Sequence, residues 1–187
     1  LAGSKAKFGF FQSEADDYLR IARELGIKQL STDGEPLRFA RYPLVYLVEA
    51  ADDICYQLMD IEDAHKLKLL TTDETVELLM GFLNERKQQR AKEVFSAVSD
   101  TNEQIAYLRS TIVGLLIGEC TNVFMEHEEE ILEGTFEGSL IKRMCPTLKQ
   151  AYENCSTVAI RRIYRSKDVL DVELAGYRVI STLIDLI

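Results

Sequence analysis

Tryptophan is absent from this 187-residue chain, and proline occurs only three times, histidine twice and cysteine four times. The last two scarcities bear on function. The two histidines, His65 and His127, lie in unrelated contexts, and neither stands in a recognisable setting beside a serine or cysteine nucleophile. His65 reads as a solvated residue near a helix end, and His127, within Met-Glu-His-Glu-Glu-Glu, as part of a solvated acidic helix end. The cysteines, at 55, 120, 145 and 155, form no Cys-x-x-Cys pair, so they read as small buried apolar residues of a reducing cytoplasm rather than zinc ligands or disulfide partners. No Walker-type or dinucleotide-type glycine-rich loop occurs. No run approaches eighteen apolar residues, which excludes a membrane-spanning helix, and the N-terminus lacks a signal-peptide pattern.

Cations are also in deficit. With 22 Lys and Arg against 31 Asp and Glu, the formal charge is −9, which disfavours nucleic acid and anionic membranes as partners of the average surface. A nucleotide triphosphate would need a local basic cluster. Hydrophobic residues make up 47% of the chain, enough for one domain with a sizeable core. The start at Leu1 reads like the middle of a longer protein.

Helical periodicity dominates and no strand pattern stands out, so the sequence predicts an all-α fold of six or seven helices. Ser13-x-x-Asp16 opens a helix ending near Gly26, and the turn-rich 28–41 stretch leads to a long central helix. Thr71-x-x-Glu74 is a capping box for Thr72 to Leu83. A charged, mostly exposed helix over 84–99 precedes a long one, capped by Thr101-x-x-Gln104 and running to Glu133, in which Gly114 and Gly118 suggest a close helix approach. The Gly134 to Ser139 break divides the chain into 1–133, holding the central helix 43–66, and a C-terminal helical pair, 134–187, packed on the same domain. Pro146 begins the first helix of that pair, which runs to about Arg165.

The central helix, from Pro43 to Asp63, has two unlike faces. Glu49, Asp52, Asp53, Tyr56, Asp60 and Asp63 fall within an arc about 100° wide, and Leu44, Leu47, Ala51, Ile54, Cys55, Leu58 and Ile61 lie opposite. No Lys or Arg is interleaved between Tyr42 and His65, so the repulsion within the acidic stripe calls for a cation across from it. Tyr46, Val48 and Met59 make the helix apolar over most of its circumference, as for a helix lodged inside a domain. A buried stripe of this kind needs a metal or a basic partner.

The stretch Arg41-Tyr-Pro-Leu-Val-Tyr-Leu-Val-Glu-Ala-Ala-Asp-Asp-Ile-Cys-Tyr56, with Asp60-Ile-Glu-Asp63, resembles the distal metal-ligand helix of the HD-domain deoxynucleoside triphosphate triphosphohydrolases, the dGTPase-like enzymes. The resemblance implies an HD-type helical bundle, of which this chain is the distal half. It implies that Asp52 ligates a divalent ion, Mg²⁺ or Mn²⁺, and that Tyr56 and Asp60 meet the deoxyribose. Lys5 to Ser13 resembles the family's Lys-Tyr-Gly-Phe-Phe segment, which points to Lys7 beside the triphosphate, with Phe8 in place of the usual Tyr. Glu173 to Leu186 resembles the closing helix, where Glu173 and Tyr177 would line the base end of the pocket. The family's His ligands, its His-Asp pair and its catalytic His and Glu have no counterpart here.

The expectation is therefore part of a cytoplasmic, homo-oligomeric hydrolase that takes dNTPs, with dGTP favoured, to deoxynucleoside and triphosphate. This chain alone would be inactive without the missing N-terminal portion of the same protein. Two other classes stay open: an all-helical interaction or oligomerisation module that uses the stripe to dock a basic partner, and a regulatory HD-like protein that binds nucleotide without cleaving it.

Overall fold

A computed structural model describes residues 10–187, so the expectations for Lys7 and Phe8 lie outside the described residues. The all-α expectation holds, with nine α-helices and no strand among the described residues. A 3₁₀ turn, Gln12–Glu14, leads into α1 (Ala15–Glu24), followed by α2 (Leu44–Lys66), α3 (Thr72–Met80), α4 (Glu85–Ala97) and α5 (Thr101–Glu126). Two short helices, α6 (Glu128–Glu133) and α7 (Leu140–Arg143), precede α8 (Pro146–Val158), which runs into a π turn over Ala159–Ile163, and α9 (Lys167–Asp185) closes the order. No helix among the described residues is long and apolar enough to cross a membrane.

Local chemistry sets most of these boundaries. Thr71 Oγ1 accepts from the Glu74 N–H at 3.3 Å while Glu74 Oε2 accepts from the Thr71 N–H at 2.8 Å, the reciprocal pair expected of a capping box. Pro146 opens α8, where its missing N–H costs nothing. Two expected caps move. The N-terminus of α5 is capped by Asp100, whose Oδ1 accepts from the N–H groups of Asn102 (2.7 Å) and Glu103 (3.2 Å), and not by Thr101. At the other site Glu14, rather than Ser13, reaches back to the Phe11 N–H at 2.9 Å. The expected long helix to Glu133 breaks at His127, which leaves helical geometry (φ −110°, ψ 20°) and sets its ring 5.3 Å from Phe136, with Nδ1 3.0 Å from Glu130 Oε1. His127 is thus packed on an aromatic ring rather than solvated.

Two compact units divide the described residues. The first holds those up to Asp52 together with Ile117–Met144, and the second holds Asp53–Leu116 and Cys145–Ile187. In the first, Tyr46 is buried, stands edge-on to Phe136 at 5.2 Å and donates to the Phe136 carbonyl at 3.3 Å, while the Arg41 guanidinium lies 4.6 Å from its ring centre. Phe10, Tyr18 and Phe39 form a second aromatic group, beside a single antiparallel bridge between Gln29 and Phe39. The core of the second unit contains Ile54, Leu58, Ile61, Leu79, Ile105, Leu108 and Ile112, all 2% exposed or less. Gly114 and Gly118 mark no close approach, because a Cβ added at either meets nothing within 4 Å.

In the second unit Arg162 ties the π turn to α3. It pairs with Glu74 and donates to the Leu69 carbonyl at 2.9 Å. The Thr71 N–H and hydroxyl and the Arg162 guanidinium hold the Glu74 carboxyl down at about 2, from an ordinary value of 4.5. A depressed carboxylate stabilises the fold above its unfolded value and loses that contribution as pH falls toward its folded value. The midpoint of urea unfolding should therefore drop between about pH 4.5 and pH 2. Glu74→Gln should flatten that segment of the profile relative to the parent, and an unchanged slope would remove Glu74 from the account.

Candidate functional site

Three faces, not two, make up α2. The buried face is Tyr46, Ala50, Ile54, Gln57, Leu58, Ile61 and Ala64, a run at three- and four-residue steps. The acidic stripe is the second face. The third is apolar and open: Leu44, Val48, Ala51, Cys55 and Met59 are all exposed, with Val48 at 67%. The expected apolar face thus splits, with Ile54, Leu58 and Ile61 inward and Leu44, Leu47, Ala51 and Cys55 outward. Cysteines follow the same division: Cys120 and Cys155 are buried, as expected, but Cys55 and Cys145 are exposed.

The stripe is open rather than buried, and its flanks hold the cations. Arg41 pairs with Glu49, while Lys66 reaches Asp63 at 3.4 Å and Glu62 at 2.9 Å. Arg109 of α5 pairs with Glu62. Asp52 and Asp53 are exposed, and among the described residues no ion pair or hydrogen bond engages the Asp52 side chain. At i, i+4 and i+8, Asp52, Tyr56 and Asp60 stand along one side of the helix at about 6 Å per step. Tyr56 is 66% exposed, and its hydroxyl is available to a ligand.

Within the second unit, α8 and its π turn run alongside α2 in the same direction, joined by a series of side-chain bonds. The Tyr152 hydroxyl donates to the Asp53 carbonyl at 3.0 Å, Ser156 Oγ donates to Gln57 Oε1 at 2.5 Å, and the Tyr164 hydroxyl donates to Asp60 Oδ2. The π turn is what brings the last of these into line. Its i→i+5 bonding, seen in the Tyr164 N–H to Ala159 carbonyl bond of 3.0 Å, takes about one residue more per turn than an α-helix. That slip rotates Tyr164 back onto the face of Tyr152 and Ser156. Burial, then the bond to Asp60 and its charge, push the Tyr164 phenol up to about 12. At neutral pH Tyr164 therefore remains a donor, and its bond orients the Asp60 side chain, which keeps acceptor capacity to spare.

Glu173 and Tyr177 lie on α9, both exposed, and among the described residues no hydrogen bond, ion pair or ring contact joins either to α2. No side chain of α9 is buried, although Leu174, Val179, Ile180, Leu183 and Ile184 are apolar. His65, expected in solvent, is half-buried, with Nε2 3.0 Å from Thr72 Oγ1. Among the described residues no group of three or more His, Cys, Asp or Glu converges on a point. A zinc-type catalytic site takes three protein ligands, and even a Mg²⁺ held chiefly by substrate phosphates takes one or two carboxylates, so among the described residues Asp52 is at most one ligand of a divalent site. Tyr164 is the residue that sequence reasoning missed. Its only signal is a tyrosine following Arg161-Arg-Ile163 in a helical pattern.

No protein-family profile matches the chain. Over 185 residues it is 31% identical to a deoxyguanosinetriphosphate triphosphohydrolase-like protein of Pseudomonas aeruginosa, a match covering 99% of this chain and 41% of that protein. A protein of the same name from Synechocystis is 29% identical over 187 residues, covering 97% of this chain and 39% of its own length. The chain spans about two fifths of the length of the curated relatives it matches. The likeness read from the central helix therefore extends along almost the whole chain, which is related over that span to the deoxyguanosinetriphosphate triphosphohydrolase-like proteins.

Proposed function

We propose that this chain is the sugar-holding and metal-supporting part of a dNTP triphosphohydrolase, one that takes dGTP to deoxyguanosine and inorganic triphosphate. The observation that carries the reading is the α2 face itself, where Asp52, Tyr56 and Asp60 follow at one-turn steps and Tyr164 orients Asp60. Tyr56 and Asp60 hold the deoxyribose, and crowding there disfavours a ribose 2′-OH. Asp52 contributes one ligand to a Mg²⁺ or Mn²⁺ ion, whose role is to polarise the α-phosphate. The other ligands and the catalytic groups belong to the portion of the relatives' length without a counterpart here, and the open apolar face of α2 is where that portion packs. Alone, the 187 residues are inactive. Homo-oligomerisation and a cytoplasmic location complete this reading.

Tyr164→Phe and Asp60→Asn in the native-length protein test it. Each should raise KM for dGTP about tenfold, the size of one oriented hydrogen bond to a charged group. The change in kcat should be smaller than the change in KM, and GTP should discriminate less from dGTP in Asp60→Asn. If both variants keep the parent KM, this face does not hold the sugar.

The exposed apolar surface of α9, on which no residue is buried, favours a second reading, an interaction or oligomerisation module in which α9 is the contact. Under that reading Leu183→Glu and Ile180→Glu abolish self-association while the α2 variants change nothing. A nucleotide-binding regulatory protein would instead bind dGTP and release no product.

A further inference from the structure

A π turn is a rare geometry, and the commoner α register remains open to the same backbone. Which register the chain takes over Ala159–Ile163 decides where Tyr164 stands. In an α-helix running on from α8, Tyr164 would sit about 100° further round, off the side that carries Tyr152 and Ser156. Asp60 would then lose the hydroxyl bonded to its Oδ2. Ala159 and Ile163 are buried within the turn, but apolar burial is non-directional and does not by itself choose between the two registers.

Arg162 is a directional contact. It lies inside the π turn, and its guanidinium reaches two separate acceptors, Glu74 Oε1 and, at 2.9 Å, the Leu69 carbonyl. Glu74 cannot follow a displaced arginine, because its other oxygen, Oε2, accepts from the Thr71 N–H at 2.8 Å and the Thr71 hydroxyl at 2.9 Å. A lone surface ion pair adds little, but a planar fork held between two fixed acceptors sets direction as well as distance. We propose that Arg162 and Glu74 are positioning residues: they hold the π register, through it Tyr164, and through Tyr164 the side chain of Asp60. The pair itself touches no substrate. This inference rests on the reading of Asp60 as a sugar-holding group and extends it to residues outside the α2 face.

Steady-state kinetics of the native-length protein with dGTP, for Arg162→Gln, Tyr164→Phe and their double variant, are the test. Arg162→Gln should raise KM about fivefold with a smaller change in kcat, and the double variant should be no worse than Tyr164→Phe, because both substitutions act through one bond. Deletion of Ile160, an exposed residue of the turn, provides an independent variant. Removing one residue returns the turn to α geometry while leaving Tyr164 on the side of Tyr152, so Arg162→Gln should change KM little in that background. A merely structural arginine would lower stability in both backgrounds and leave KM alone. Parent KM in Arg162→Gln while Tyr164→Phe raises it, effects that multiply in the double variant, or an undiminished effect of Arg162→Gln in the Ile160 deletion would overturn the proposal. Parent KM in Tyr164→Phe and Asp60→Asn alike would instead strike the sugar-holding face, and the role given to Arg162 with it.

Discussion

Asp52→Ala in the native-length protein is expected to lower triphosphate release from dGTP by about a thousandfold, roughly 4 kcal/mol in the barrier, while leaving stability within about 0.5 kcal/mol of the parent. The two halves of this expectation have separate origins. Stability should not move because the Asp52 side chain is exposed and, among the described residues, neither ion-paired nor hydrogen-bonded. It also lies within a stripe of like charge, so its removal relieves repulsion on α2 rather than creating it. Activity should collapse because, on the proposed reading, Asp52 is a metal ligand that no neighbouring group replaces. Asp53 stands 100° away around the helix, and its backbone carbonyl is committed to Tyr152. Thermal unfolding and product release measured on the same preparation check both halves. A large loss of stability would mean that Asp52 is structural, and full activity would mean that α2 turns a different face to the substrate.

Gly134→Ala is expected to destabilise the first unit by about 3 kcal/mol, and two terms add to that figure. Gly134 ends α6 in the left-handed region, at φ +74°, where an L side chain costs about 1–2 kcal/mol. The Thr135 and Phe136 N–H groups donate to the Glu130 carbonyl at 2.9 and 3.1 Å, so the turn cannot move to another conformation without losing these bonds. The second term is contact. A Cβ at this position would lie 2.4 Å from the Ala40 Cβ, which has no flexible end to swing aside, and the backbone must shift at the cost of overpacking. Gly138 provides the control. It also has a positive φ, +95°, but a Cβ there meets nothing within 4 Å, so Gly138→Ala should cost only the backbone term. Chemical denaturation of the two variants compares them directly. Equal losses would show that the contact with Ala40 contributes nothing.

Residues whose role is set by their immediate neighbours were legible in the sequence. The Thr71 and Glu74 box, the start of α8 at Pro146 and the unbroken central helix, read as 43–66 and formed over Leu44–Lys66, depend on chemistry within one turn. The side of α2 that turns inward was not legible. Apolar residues cover two of its three faces, so periodicity gives no unique phase, and packing chooses Tyr46 and Ala50 over Leu44 and Ala51. The break at His127 escaped for a related reason: the ring packs on Phe136, nine residues downstream, and no local breaker marks it. Tyr164 was hidden by the π turn. In α-helical register it points away from Tyr152 and Ser156, and only the extra residue in the turn aligns it with Asp60. On the side of function, Asp52, Tyr56 and Asp60 could be placed on one face from spacing alone. Their chemistry was suggested by resemblance, because one exposed carboxylate specifies no reaction.

Product analysis after incubation of the native-length protein with dGTP and Mn²⁺ tests the central claim most directly. Separation by anion exchange should recover deoxyguanosine and inorganic triphosphate in equal amounts, with neither formed by the 187-residue chain alone. Orthophosphate or pyrophosphate as the first product, or no turnover by the native-length protein, would contradict a triphosphohydrolase built on the α2 face.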